Sequence, residues 1–265
     1  MPVKDLAFET LRVTVDDQVL TVTLDDTGNP LNLFTWQRME ELGELMSRLR
    51  DETAVRAIVL TGSGRYFSGG GSFDLFATLD TAESAERMRR ASRKLYKDML
   101  EVGQPIVCAV NGPAIGAGCS LVLLSDFAFA SSTVTLSDPH VRRGLAAADG
   151  AAIWTMFMGP IRAKRFLLTG QELTAAQAAD FGMFTAVCDP GETLAQATAF
   201  ARELAGGAPL AIAHTKSLCN RYISEILEQT HAAGFALEML DFRSSDHREA
   251  IAAFKEGRPP VFTGS

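Results

Sequence analysis

Two glycine-rich turns, Tyr66-Phe-Ser-Gly-Gly-Gly-Ser72 and Asn111-Gly-Pro-Ala-Ile-Gly-Ala-Gly-Cys-Ser120, each follow a short apolar strand and lead into a helical stretch. Each places bare backbone N–H groups at a helix start, where donors are unpaired and the macrodipole is positive. Glycine lets a reacting oxygen come close to the backbone. Two such turns converging on one point are expected to form an oxyanion hole.

A chain of 265 residues with 47% hydrophobic and 22% charged side chains can bury one large core or two modest ones. A net charge of −7 argues against a nucleic-acid surface, while a few local basic residues suffice for the phosphates of a small cofactor. Cys108, Cys119, Cys188 and Cys219 lack CxxC spacing, and each reads as a reduced, buried structural thiol. The first residues carry no apolar signal core, and no apolar run reaches the roughly 18 residues of a membrane span. A cytoplasmic protein is expected. His214, His231 and His247 show no metal-ligand spacing, so no metal is expected.

Hydrophobic periodicity predicts strands at Leu11–Asp17 and Val19–Leu24, then an amphipathic helix from Thr35, its N-cap, to Asp51. Buried strands follow at Ala57–Gly62 and Pro105–Asn111, with helices at Ala82–Glu101 and Gly116–Leu124. Strands are predicted at Asp126–Ala130, Thr133–Leu136 and Ala186–Cys188, and helices at Ile161–Thr169, Thr174–Phe181, Leu194–Leu204, Pro209–Ile226, Ala232–Leu240 and Asp246–Glu256. The pattern is an α/β fold of repeated β-β-α units over residues 1–195, followed by a helical region over residues 196–265.

The motifs resemble those of the crotonase superfamily, the enoyl-CoA hydratase and isomerase group, over essentially the whole chain. Carrying that resemblance are Pro30-Leu-Asn-Leu, Leu60-Thr-Gly-Ser-Gly-Arg-Tyr-Phe-Ser-Gly-Gly-Gly and Pro105-Ile-Val-Cys-Ala-Val-Asn-Gly-Pro-Ala-Ile-Gly-Ala-Gly. Ser125-Asp-Phe-Ala-Phe-Ala-Ser, Leu168-Thr-Gly-Gln-Glu-Leu-Thr-Ala-Ala-Gln-Ala and Ala253-Phe-Lys-Glu-Gly-Arg-Pro-Pro-Val-Phe follow in the family's order. The resemblance implies a crotonase-like spiral with a C-terminal helical trimerisation region, a homotrimer or hexamer, and an acyl-CoA thioester as substrate. CoA would arrive with the substrate, so no separate cofactor is implied. It further implies Gly71 and Ala117 as the two backbone donors to the thioester oxygen of an enolate, with Ser68 and Gly69 near the CoA adenine and pantetheine.

Hydratases of this family use two glutamates, and the matching positions here are Ser120 and His140. A hydroxyl cannot replace a carboxylate base, which puts two-glutamate hydration in doubt. His140 becomes the base candidate, with Ser120 a small helix residue or a hydrogen-bond partner for substrate. Asp149 is expected either to orient the His140 imidazole, as in the β-diketone hydrolase branch of the superfamily, or to cap a helix starting at Gly150. Glu238, an acid on an apolar helix face, reads as solvent-exposed. Three readings follow: an acyl-CoA hydratase or isomerase, a β-diketone hydrolase using His140 and Asp149, and a noncatalytic CoA binder.

Overall fold

The computed structural model describes residues 3–26 and 28–265. Strands β1 (Leu11–Asp16) and β2 (Val19–Leu24) form an antiparallel hairpin, and β2 continues in parallel into β3 (Ala57–Gly62) and β4 (Ile106–Val110). Two further strands, β6 (Phe127–Ser131) and β9 (Ala186–Cys188), complete a six-stranded sheet ordered β1-β2-β3-β4-β6-β9. A second sheet of three short strands, β5 (Ala114–Ile115), β7 (Thr135–Ser137) and β8 (Leu173–Thr174), runs in the order β5-β7-β8.

Strand alternation divides the interior into two. In β3 and β4, Ile58, Leu60, Ile106, Cys108 and Val110 point into the main core, which also takes up Leu42, Leu45 and Leu49 of α1 (Trp36–Leu49). The intervening Ala57, Val59, Val107 and Ala109 face α8 (Thr193–Ala205). That helix presents Ala197, Ala201 and Ala205 on one side, small enough to lie close to the sheet. The expected division after residue 195 therefore falls inside a helix that belongs to the sheet packing.

The two sheets are visited alternately. The chain passes β4, β5 and α4 (Ala117–Leu124), then β6, β7 and α5 (Ala148–Met158), which are successive turns of a crotonase-type spiral. Ser68 pairs in parallel with Ala114, and Ala114 pairs with Leu136. Extending that register three residues places Gly71, Ala117 and Pro139 at equivalent points on three consecutive turns. Between the first two lie α2 (Phe73–Phe76) and α3 (Ala82–Glu101), the latter opened by a Thr81 and Ser84 capping box.

Helices α6 (Pro160–Leu167) and α7 (Ala175–Asp180) flank β8, and the C-terminal region consists of α9 (Pro209–Asp241) and α10 (Ser245–Glu256). The sequence predicts two helices where α9 is one. Residues 227–231 contain neither glycine nor proline, and Leu227, His231 and Phe235 carry one buried face through the expected break. The short elements α2, β5 and β8, and a 3-10 turn over His140–Arg143, have no counterpart in the sequence reading.

Candidate active site

The first donor segment is held from below. Phe34 donates its N–H to Gly70 O over 2.8 Å, and Ser72 donates to Phe34 O over 2.9 Å. Between them the Gly71 N–H has no protein acceptor among the described residues. Its α-carbon faces the Phe76 ring so closely that a Cβ there would stand 2.4 Å from Cζ. The second segment is tied to the first by Ile115 N–H donating to Ser68 O over 2.9 Å. Gly116 turns the chain at φ +51° into α4, a left-handed conformation that glycine adopts without strain. Ala117 is the first residue of that helix, where an N–H has no intrahelical acceptor. Both expected donors are thus, among the described residues, amides without a protein acceptor on adjacent turns.

The third turn supplies Asp138 and His140. The His140 ring packs beside the second donor segment, 3.7 Å from where a Gly116 Cβ would lie. His140 Nδ1 is hydrogen-bonded to Asp138 Oδ1, and Nε2 lies 3.6 Å from Glu238 Oε1 on α9. Burial alone would lower the imidazole pKa, but the adjacent Asp138 carboxylate and its hydrogen bond outweigh it, with Glu238 and Asp149 adding to the effect. Together they raise His140 to about 10. At neutral pH the ring is an imidazolium, a cation and potential acid. The sequence expectation of a neutral base is corrected by two carboxyl groups, the sequence neighbour Asp138, whose contact with the ring only the fold shows, and Glu238, which lies far along the chain.

Asp149 neither caps α5 nor orients His140. The helix starts at Ala148 after an Ala147 that makes no side-chain cap, and the imidazole is held by Asp138 instead. Asp149 Oδ2 accepts hydrogen bonds from Tyr96 Oη at 2.5 Å and Ser120 Oγ at 2.8 Å. Both donors share one oxygen, and among the described residues no protein donor reaches Oδ1. Tyr96, brought from α3, is buried, and burial and the Asp149 charge push its phenol pKa well above the usual value, so it stays a donor. Ser120, expected as a small helix residue or a substrate contact, gives its hydroxyl proton to Asp149. A carboxyl group therefore stands within one hydrogen bond of Ser120, the residue that the resemblance matched to the first glutamate.

Ser68 and Gly69, expected near CoA, have their hydroxyl and amide engaged within the first turn. Ser68 is fully buried, its Oγ donating to Asn32 O over 2.8 Å, so its side chain is a strut of the first turn and does not reach a ligand. Gly69 donates its N–H to Leu31 O over 2.7 Å, and a side chain there would strike Leu33. Glu238, expected in solvent, is 7% exposed. Burial raises its carboxyl pKa to about 8, a rise that His140 opposes and Asp149, Asp138 and Asp241 reinforce. Sequence reasoning missed Tyr96 altogether. Its available signal was a hydroxyl among Leu95, Met99 and Leu100 on the buried stripe of α3. Among the described residues no cluster of His, Cys, Asp and Glu has metal-holding geometry, and no helix is long and apolar enough to cross a membrane.

Comparison with known proteins supplies context for this geometry. The enoyl-CoA hydratase/isomerase family model matches residues 14–265. The probable enoyl-CoA hydratase echA6 of Mycobacterium tuberculosis is 35% identical over 257 residues, covering 96% of this chain and 99% of that protein. The 1,2-epoxyphenylacetyl-CoA isomerase of Escherichia coli is 30% identical over 256 residues, covering 94% and 97%. A crystal structure of an enoyl-CoA hydratase/isomerase from Mycobacterium paratuberculosis superposes with a TM-score of 0.87 at 32% identity, over 94% of this chain and 99% of that one.

Proposed function

The chain belongs to the enoyl-CoA hydratase/isomerase family, and from that premise we propose that it is an acyl-CoA isomerase moving a proton through a thioester enolate. The Gly71 and Ala117 N–H groups hold the thioester oxygen as it becomes negative, the positive end of α4 adding to both. Asp149 takes the proton from one carbon and returns it to another. The His140 imidazolium lies on the oxyanion side, where its charge opposes the enolate's.

The observation that carries this reading is the attachment of Asp149 through Oδ2 alone, by Tyr96 and Ser120. Two donors fix the carboxyl group in place and leave Oδ1 to the substrate, and one positioned base suffices for a proton shift that ends where it began. Water addition has a stricter need, because one group must hold and deprotonate water while another protonates carbon.

The test is hydrogen exchange at the acyl α-carbon. Saturated and 3-enoyl-CoA thioesters are incubated with enzyme in D2O and followed by mass spectrometry, alongside crotonyl-CoA hydration. Exchange, with isomerisation of the 3-enoyl chain faster than hydration, is the expected result. Absence of exchange with every thioester overturns the enolate reading, and rapid hydration overturns the preference for isomerisation.

A further inference from the structure

Gly234, Glu238 and Asp241 are four and three residues apart and share one side of α9. That side lies against the segment from His140 to Asp149 at three points. A Cβ at Gly234 would stand 2.7 Å from Ala148 O, and Asp241 Oδ2 accepts the Ala146 N–H over 2.7 Å. Between these anchors, Glu238 Oε1 comes to 3.6 Å from His140 Nε2. The imidazole is therefore bracketed by two carboxyl groups, Asp138 from the spiral and Glu238 from the C-terminal helix.

The ionisable groups facing Glu238 come from every neighbouring element. They are His140 and Asp138 from the third spiral turn, Asp149 from α5, Tyr96 from α3 and Asp241 from α9 itself. Among these only His140 is a cation. Asp138 already balances that cation through Nδ1, so a second carboxylate on Nε2 would be in excess. With Glu238 protonated, the group of Asp138, His140 and Glu238 carries no net charge; with Glu238 ionised, it carries one negative charge. Burial holds the proton on Glu238 up to about pH 8.

We propose that Glu238 is a positioning residue, supplied by the C-terminal helix, that sets the net charge presented by the Asp138, His140 and Glu238 group beside the oxyanion turn. The inference rests on the enolate reading for its effect on rate. While Glu238 is neutral, the imidazolium faces the developing oxyanion with one counter-charge. Once Glu238 ionises, a further negative charge stands behind the ring and opposes enolate formation, slowing it by about tenfold at this range. The C-terminal helix then limits the alkaline range of the enzyme without touching substrate.

The test uses the full-length, substrate-free protein with 15N-labelled histidine. The His140 ring signals, assigned by their loss in His140→Gln, are followed from about pH 6 to about pH 10. A step near pH 8 is expected in the wild type and absent in Glu238→Gln, and α-proton exchange should fall above that pH in the wild type but stay level in the variant. No step in the wild type, or a step that survives Glu238→Gln, overturns the proposal. Should the variant fail to fold, 13C titration of the wild-type Glu238 carboxyl decides, and a midpoint near the ordinary glutamate value of about 4.3 overturns it. A histidine step near pH 8 in a protein that exchanges no α-proton leaves the charge coupling standing and removes the enolate reading instead.

Discussion

Ser120 Oγ donates to Asp149 Oδ2 over 2.8 Å. A short side chain on one turn of the spiral thus meets a carboxyl group brought in by the next. Asp149→Asn preserves the shape of this group and removes its ability to take a proton. The expected outcome is a loss of α-proton exchange of about 10²- to 10⁴-fold, with acyl-CoA affinity nearly unchanged in calorimetric titration. Exchange at the wild-type rate would remove Asp149 as the base.

Ala117 occupies the first position of α4, the one helical position where proline is well tolerated. Ala117→Pro should therefore leave the fold intact by circular dichroism while deleting one oxyanion donor. Loss of a donor of this kind lowers turnover by about 10²- to 10³-fold. Retained turnover in a folded variant would exclude the Ala117 N–H from the mechanism.

The pH behaviour of His140 has a definite sign. Its folded-state pKa is raised to about 10, so the protonated ring contributes stability that is fully present below the unfolded value of about 6.5. That contribution is lost as pH rises through the folded value. Denaturant titrations of wild type and His140→Asn should show a stability difference on the order of a few kcal/mol near pH 6, shrinking toward pH 10. With the ring protonated throughout, activity should show no imidazole titration between about pH 6 and 7.5. A stability difference that grows with pH would reverse the assignment of charge.

Leu210, Leu218, Tyr222, Leu237 and Leu240 of α9 are each more than half exposed. Apolar side chains in such number on one helix are expected to be covered by other copies of the chain. Sedimentation equilibrium should report about three or six times the 28.5 kDa chain mass. A single species at the chain mass would contradict a trimer or hexamer.

The two free amides were legible in the sequence because backbone chemistry is local. A glycine-rich turn between an apolar strand and a helix exposes N–H groups whatever the rest of the chain does, and Gly71 and Ala117 both have free amides. Strands β3 and β9 and helix α3 were readable to the residue, since their periodicity, caps and breakers lie within their own segments. The single helix α9 was not, because its middle is held by buried Leu227 and His231 packing on other elements.

Side-chain partnerships were a different matter, since all but the neighbouring pair Asp138 and His140 join residues far apart in the chain. The sequence by itself determined the repeated β-β-α units, the two glycine turns and the absence of glutamate at residues 120 and 140. Tertiary structure alone decided that Asp138 holds His140, that Tyr96 and Ser120 hold Asp149, and that Glu238 is buried beside the imidazole. The physical reason is that the charge state of a buried group depends on its distances to other charges and on the water removed around it. Those distances are set by packing across separate turns of the spiral and by the return of the C-terminal helix, which spacing along the chain does not encode.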